Sequence, residues 1–286
     1  MLTVRNIMKK KVRTVTPWMS VASVVRIMDE FRESGLPVID NDRLVGIITS
    51  RDVRGTHHNR LVADAMTRSP VVINSKDSLW EAKEMLEQHQ IERIIVLERE
   101  KVVGIINQTQ IYAELGKHID SMTGLHKAEY LYQKSIKLLQ NNNEISLIFI
   151  DIDNFGEVDK KYGHVVGDQI LKLVADLLRV HVPESACLCR YAGDEFAIVL
   201  PDIQSKAREL ANQLLMKISK LSTPHNLCIS ASAGVAGGRR SNKRSRGGEN
   251  LTVTDLINMA SLASTKAKRE RHQVVVVENV QLIEVT

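Results

Sequence analysis

One pattern limits the fold of this chain more than any other: its first part is written twice. Met8 is matched by Met66, Val15 by Ile73, Ser20 by Ser78 and Val38 by Val96, and Val45-Gly46-Ile47-Ile48 returns as Val103-Gly104-Ile105-Ile106, always at an offset of 58 residues. A constant offset means two units that align without a gap. Each unit reads as a short strand, a helix opened by Ser20 or Ser78, and two β-rich runs. In the first unit those runs are Leu36 to Ile39 and Leu44 to Ile48, and the helix carries Val21, Val24, Val25, Met28 and Phe31 on one face. A unit of that size has too little volume for its surface to bury a good core alone. The two units are therefore expected to pair.

The rest of the chain leaves room for a second domain. No apolar run approaches the ~20 residues of a membrane span. The start, Met1-Leu2-Thr3-Val4-Arg5, lacks the apolar stretch of a secretory signal. Three cysteines, odd in number and sparse, argue for a reducing compartment, so a cytoplasmic location is expected. Cys187 and Cys189 alternate along a strand and should face the core together. The net charge of +5 is local, because Arg239, Arg240, Lys243, Arg244 and Arg246 account for it; the remaining 34 basic residues equal the 34 acidic ones. Charge therefore gives no ground for a nucleic-acid partner. The stretch from Gly237 to Asn250 reads as a surface loop, either a solvated insertion or a flap that attracts phosphate.

Two acidic turns carry the candidate chemistry. Asp151-Ile152-Asp153 follows the apolar run Leu147 to Ile150, and Asp194-Glu195 sits between Leu188-Cys189-Arg190-Tyr191 and Phe196 to Leu200. Gly193 permits a tight backbone at the second turn. Carboxylates at the ends of two core strands can meet in space and hold Mg²⁺, the usual partner of nucleotide phosphates.

These turns sit inside an ordered set of blocks. Ala192-Gly193-Asp194-Glu195-Phe196 resembles the signature of the GGDEF domain. Asp120 to Leu125 is similar to that family's opening segment, and Asp151 to Phe155 with Tyr162 to Asp168 is similar to its central block. Ser232 to Ala236 and Ala267-Lys268 follow in order. The resemblance covers residues 118 to 277. It implies condensation of two GTP into cyclic di-GMP and pyrophosphate, a Mg²⁺ (or Mn²⁺) cofactor, and a homodimer in which two chains each present one GTP. It also implies that Asp151, the Ile152 carbonyl and Asp194 bind metal, and that Asp194 or Glu195 helps deprotonate the attacking hydroxyl. Lys268 is similar to the phosphate-binding lysine, and Asp168 to the acid that reads guanine. From the residues alone, Lys268 could instead belong to an ordinary basic helix end, and Asp168 could serve a helix N-terminus. That helix carries Ile170, Leu173, Val174 and Leu177 on one face.

Departures from the family pattern leave a second reading open, a degenerate domain that senses GTP without turnover. Asp159 stands where the family has the Asn that helps read guanine, Gly156 replaces a Lys, and His272 replaces a phosphate-contacting Arg. Fewer cations should weaken triphosphate affinity, and Asp159 could also alter base selectivity. The family's inhibitory product site, Arg-x-x-Asp, has no counterpart, since Pro183-Glu184-Ser185-Ala186 occupies its place. Product feedback through that site is expected to be absent.

The N-terminal repeat resembles a tandem of CBS motifs. Gly46-Ile47-Ile48-Thr49-Ser50-Arg51-Asp52 fits the fingerprint, and the resemblance implies that Asp52 grips a ribose and Thr49 a phosphate or ribose of AMP, ADP or ATP. Thr-x-x-Asp is equally a capping pattern, so that alternative stands beside it. Asn107 and Gln110 replace the pair in the second copy, which predicts one competent site and one weak one. The expected domains are CBS motif 1 over 1–58, CBS motif 2 over 59–115 and the GGDEF domain over 116–286. A helix over Gln108 to Asp120 is expected to join them with little slack. The fold class is mixed α/β (α+β), in which a tandem CBS pair precedes a palm-like nucleotide-cyclase domain with a central, mostly antiparallel sheet.

Overall fold

The apolar runs of the repeat become strands, and their pairing follows the offset. The structure is a computed structural model and describes residues 2–141, 144–240, 252–271 and 273–282. The chain forms two compact units, Met1–Lys117 and His118–Thr286. The first contains α1 (Val4–Ile7), α2 (Val21–Phe31), β1 (Gly35–Asp40), β2 (Arg43–Thr49), α3 (Ser50–Arg54), α4 (Val62–Ala65), β3 (Thr67–Arg68), β4 (Val72–Asn74), α5 (Leu79–His89), β5 (Arg93–Glu98), β6 (Lys101–Asn107) and α6 (Gln108–Gly116).

Two three-stranded sheets result, β1-β2-β3 and β4-β5-β6. Val15 bridges Val38 in parallel, and Ile73 pairs Val96 in parallel, the same contact 58 residues on. Ser20 opens α2 by accepting from the Ser23 amide at 3.2 Å, and Ser78 opens α5 by accepting from the Glu81 amide at 3.2 Å. Each cap satisfies an amide that the helix cannot. Val21, Val24 and Met28 of α2 pack on Leu36, Val38 and Ile48. The expected connecting helix ends earlier than Asp120. α6 stops at Gly116, and Ile119 instead bridges His126.

The second unit contains α7 (Ala128–Gln140), β7 (Ile145–Ile152), α8 (Phe155–Tyr162), α9 (His164–His181), β8 (Cys187–Ala192), β9 (Glu195–Leu200), α10 (Gln204–Ile218), β10 (Ala231–Arg240), α11 (Val253–Glu270) and β11 (Val274–Leu282). Its sheet runs β11-β10-β7-β9-β8, antiparallel except for the β10–β11 pair.

β7 lies at the centre and is apolar on both faces, which a strand covered on both sides requires. Ile148, Ile150 and Ile152 join the core beneath α9 and α10. Leu147 and Phe149 point the other way, to α7 and α11. Cys187 and Cys189 both lie in that second core, and burial pushes the Cys187 thiol up to about 12. Neither is a reactive thiol.

Two expectations need correction. The buried stripe of α9 is centred on Ile170, Leu171, Val174 and Leu178, with Leu173 and Leu177 at its margin. The expected loop from Gly237 begins later, because β10 runs on to Arg240. Gly237 pairs Ser146 and Arg239 pairs Gln281, so ladders on both sides hold a segment of poor strand propensity. The remainder of that stretch, 241–250, lies outside the described residues, as does His272.

Candidate functional site

The β8–β9 turn is built around Gly193, whose φ of +47° lies in the left-handed region that favours glycine. Arg190 fixes the turn from below. Its Nε and Nη2 donate to the Gly193 carbonyl at 2.9 and 2.7 Å, and its Nη1 donates to Asp120 Oδ1 at 3.0 Å. Burial pushes the Asp120 carboxyl up, but bonds from the Thr123 hydroxyl and amide and from Arg190 outweigh it and hold the carboxyl below its ordinary value. No sequence pattern singled out Arg190, which is separated from the turn motif by Tyr191 alone.

Strand register brings the two acidic turns to one end of the sheet. Asp151 is the cross-strand partner of Glu195, and the Ile152 amide faces the Asp194 carbonyl at 3.4 Å. Burial pushes the Asp194 carboxyl above its ordinary value, the charges of Asp151 and Asp159 add to the push, and Lys268 opposes it. Glu195 is raised by burial, then by Asp151 and Asp194. A cluster of this kind calls for a cation.

A cation of the protein's own stands there. Lys268 Nζ donates to Asp151 Oδ1 at 2.6 Å and to the Ile152 carbonyl at 3.2 Å. Lys268 lies in the last turn of α11, where a helix-end lysine is expected, and its ammonium reaches the acidic cluster. Gly234 explains its aim. A Cβ at 234 would collide with Ala260 O and Ser264 N, so glycine there lets α11 settle directly on β10. One turn beyond Ser264, Lys268 comes over the end of β7. The neighbouring Asp153 is engaged elsewhere. It accepts from Ser230 Oγ at 2.6 Å and Ser232 Oγ at 2.8 Å, and so fastens the end of β7 to the segment leading into β10.

Asp151, Asp194, Glu195 and the Ile152 carbonyl form an all-oxygen donor set, the kind Mg²⁺ or Mn²⁺ takes. The raised carboxyls of Asp194 and Glu195 fit such an ion. Among the described residues no group of three or more His, Cys, Asp or Glu is already arranged to hold a metal, and Lys268 occupies two of the donor atoms. The substrate-reading candidates lie on α8 and α9. Asp159 Oδ2 meets His164 Nδ1 at 3.0 Å, while its Oδ1 is buried without a hydrogen-bond partner. Asp168 is half-buried in the second turn of α9, beyond the first turn that a helix N-terminus would use.

In the first unit, Thr49 and Asp52 line a cavity of about 250 Å³ together with Arg51, Arg54, Thr67 and Arg93. They also bond each other: the Thr49 amide and hydroxyl both donate to Asp52 Oδ2 at 2.7 Å, which opens α3. The capping alternative thus describes real bonds, and the same side chains face the cavity. Asn107 and Gln110 form the matching box at α6, with the Gln110 amide donating to Asn107 Oδ1 at 2.8 Å. Sequence reasoning missed a basic wall near the second copy. Lys9, Lys11 and Arg13, the repeat counterparts of Thr67, Ser69 and Val71, line a hollow with Glu33, and the Arg13 guanidinium lies 3.1 Å from the centroid of the Phe31 ring.

Two three-stranded sheets in the first unit and a five-stranded palm with acidic turns at one end in the second define an α+β protein of two units, one repeat-built and one palm-like. The family model for "Diguanylate cyclase, GGDEF domain" matches residues 117–273, and the CBS domain model matches 4–57 and 62–117. The chain belongs to the GGDEF diguanylate cyclase family and carries a CBS pair before that domain. It is similar to diguanylate cyclase VdcA of Vibrio cholerae serotype O1, 33% identical over 103 residues that make up 36% of this chain and 30% of the relative. It is also similar to diguanylate cyclase DgcS of Shewanella oneidensis, 31% identical over 122 residues, 41% of each chain. Among solved structures, the coiled coil and GGDEF domain of DgcB from Caulobacter crescentus, in complex with c-di-GMP, matches 70% of this chain and 97% of its own with a TM-score of 0.50 and 18% identity, a likeness of fold. The chain spans less than half the length of the curated relatives it matches. No helix among the described residues is long and apolar enough to cross a membrane.

Proposed function

We propose that this chain is a divalent-metal-dependent diguanylate cyclase of cyclic di-GMP signalling, condensing two GTP into cyclic di-GMP and pyrophosphate, with its output set by an adenine nucleotide at the CBS pair. The observation that carries this reading is the meeting of Asp151, Asp194 and Glu195 at one end of the sheet under Lys268. The domain assignment adopted is CBS motifs over 1–58 and 59–115 and the GGDEF domain over 116–286.

In the reaction, the 3′-oxygen of one GTP bonds to the α-phosphorus of the other, the bond to pyrophosphate breaks, and the hydroxyl proton must leave. Asp194 and Glu195, both raised, are suited to take that proton. Asp151, the Ile152 carbonyl and Asp194 would hold Mg²⁺ (or Mn²⁺), which when bound offsets phosphate charge and acidifies the hydroxyl. Lys268 contributes a positive charge toward the triphosphate, and Asp168 and Asp159 approach the guanine. His272 is assigned to phosphate by resemblance alone. Each domain holds one GTP, so two chains must face each other; a homodimer in the cytoplasm follows.

Purified chain incubated with GTP and Mg²⁺ should yield cyclic di-GMP and pyrophosphate, the yield should change on adding AMP, ADP or ATP, and Asp194→Asn should abolish it. A second reading, a GTP sensor without turnover, is favoured by the hold of Lys268 on Asp151 and by the carboxylate at Asp159. Calorimetry that finds GTP binding while no pyrophosphate forms would select it.

A further inference from the structure

We propose that Lys268 is a place-holder in the metal seat, so that the nucleotide-free protein resists divalent cations and loads them only together with the triphosphate. The inference rests on the function proposed above and deepens it. It starts from shared atoms. The two oxygens that Lys268 Nζ contacts, Asp151 Oδ1 and the Ile152 carbonyl, are two of the donors assigned to the ion.

A partly buried seat makes this sharing costly. Two cations on the same pair of oxygens repel, and screening by water is reduced where Asp151 and Lys268 are 17% and 35% exposed. The ammonium already meets the Asp151 carboxylate at 2.6 Å and the Ile152 carbonyl at 3.2 Å. A free ion must therefore displace a bonded charge before it gains anything. A triphosphate changes the balance, because it gives the ammonium another anion to meet. The lysine stem allows the move. Four methylenes end in a point charge with no fixed plane, and α11 itself, held on β10 at Gly234, need not shift.

The protein thus exchanges one cation for another as substrate arrives. Metal bound without nucleotide would leave the carboxylates set for phosphates that are absent. Until then the lysine offsets one of the three carboxylate charges at the seat, that of Asp151.

The test measures Mn²⁺ binding to the full chain without nucleotide, by the electron paramagnetic resonance signal of free Mn²⁺. Wild type should bind weakly. Lys268→Met should bind about tenfold to a hundredfold more tightly, the equivalent of one or two charge-assisted hydrogen bonds. Lys268→Gln, which keeps a long polar helix former, should follow in the same direction. Adding Asp151→Asn to Lys268→Met should return the affinity to the wild-type range. Equal or weaker Mn²⁺ binding by both folded lysine variants would overturn the place-holder. GTP is tested separately: a chain that binds no GTP sinks the cyclase reading, while the metal comparison still stands.

Discussion

Arg190 joins Asp120 to the carbonyl of Gly193, so the segment that opens the second unit and the turn that carries Asp194 share one guanidinium. The side chains of Arg190 and Asp120 are only 12% and 19% exposed. Bonds of this kind exceed neutral ones in strength, and removing one partner strands the other. Arg190→Ala should cost about 2 kcal/mol of stability in urea unfolding. It should also cut cyclic di-GMP formation more than it cuts GTP affinity, because the turn rather than the nucleotide contact is loosened. An unfolding midpoint equal to wild type would show that the guanidinium supports nothing.

Asp194 and Glu195 make an opposite prediction for the metal-free protein. Both carboxyls are raised, so the folded state holds more protons than the unfolded chain as pH passes between the two values. Stability from this pair is therefore greatest in acid and falls as pH rises through the raised values. Above them the penalty is complete. Asp194→Asn or Glu195→Gln removes one like charge near Asp151 and should stabilise the nucleotide-free protein at pH 7 by about 0.5 kcal/mol, or ~1–2 °C, while product formation disappears. Asp120 pulls the other way. Its lowered carboxyl contributes stability above the unfolded value that is lost as pH falls through the folded one. Adding Asp120→Asn to the set, melting curves between acid and neutral pH for the three variants separate these contributions.

At the CBS pair, Asp52 both opens α3 and faces the cavity. Asp52→Asn keeps an acceptor for the Thr49 amide but loses the charge that two ribose hydroxyls would use. Adenylate affinity should fall about tenfold, the worth of a charge-assisted bond, with little change in stability. Gln110→Ala should leave adenylate affinity as it was. Equal affinity for wild type and Asp52→Asn by calorimetry would move the nucleotide away from this cavity.

Elements carried by strict repetition or alternation were legible in the sequence. The offset of 58 residues returned as identical pairings at Val15–Val38 and Ile73–Val96, and the apolar run before Asp151 became the central strand. What needed a third partner was not. Nothing in Gly237 to Arg240 favours a strand, and its extension comes from β7 and β11 on either side. The gap between Asp151 and Lys268 in sequence is wide, and their contact depends on how closely α11 rests on Gly234. The resemblance already names Asp151 rather than Asp153; that Ser230 and Ser232 engage Asp153 is the part no local pattern showed.

The proposed guanine-reading role of Asp159 can be tested through its two oxygens. Its Oδ2 is engaged by His164, but its Oδ1 is buried with no partner, and its charge adds to the push on Asp194. A buried acceptor left unmade costs about 1–3 kcal/mol, and a carboxylate can offer guanine only acceptors. Asp159→Asn supplies a donor at the same volume and removes the like charge. GTP should then bind roughly three- to tenfold more tightly, a part of that cost recovered. The ratio of GTP to ATP affinity in competition should stay as it was, because the purine N3 is an acceptor in both bases and the Asp168 carboxylate, proposed to read the N1–H and N2–H edge that adenine lacks, is unchanged. The Asp194 carboxyl should also move toward its ordinary value, which carbon-detected NMR titration reads directly. An unchanged GTP affinity together with an unchanged Asp194 titration would place Asp159 outside the purine site.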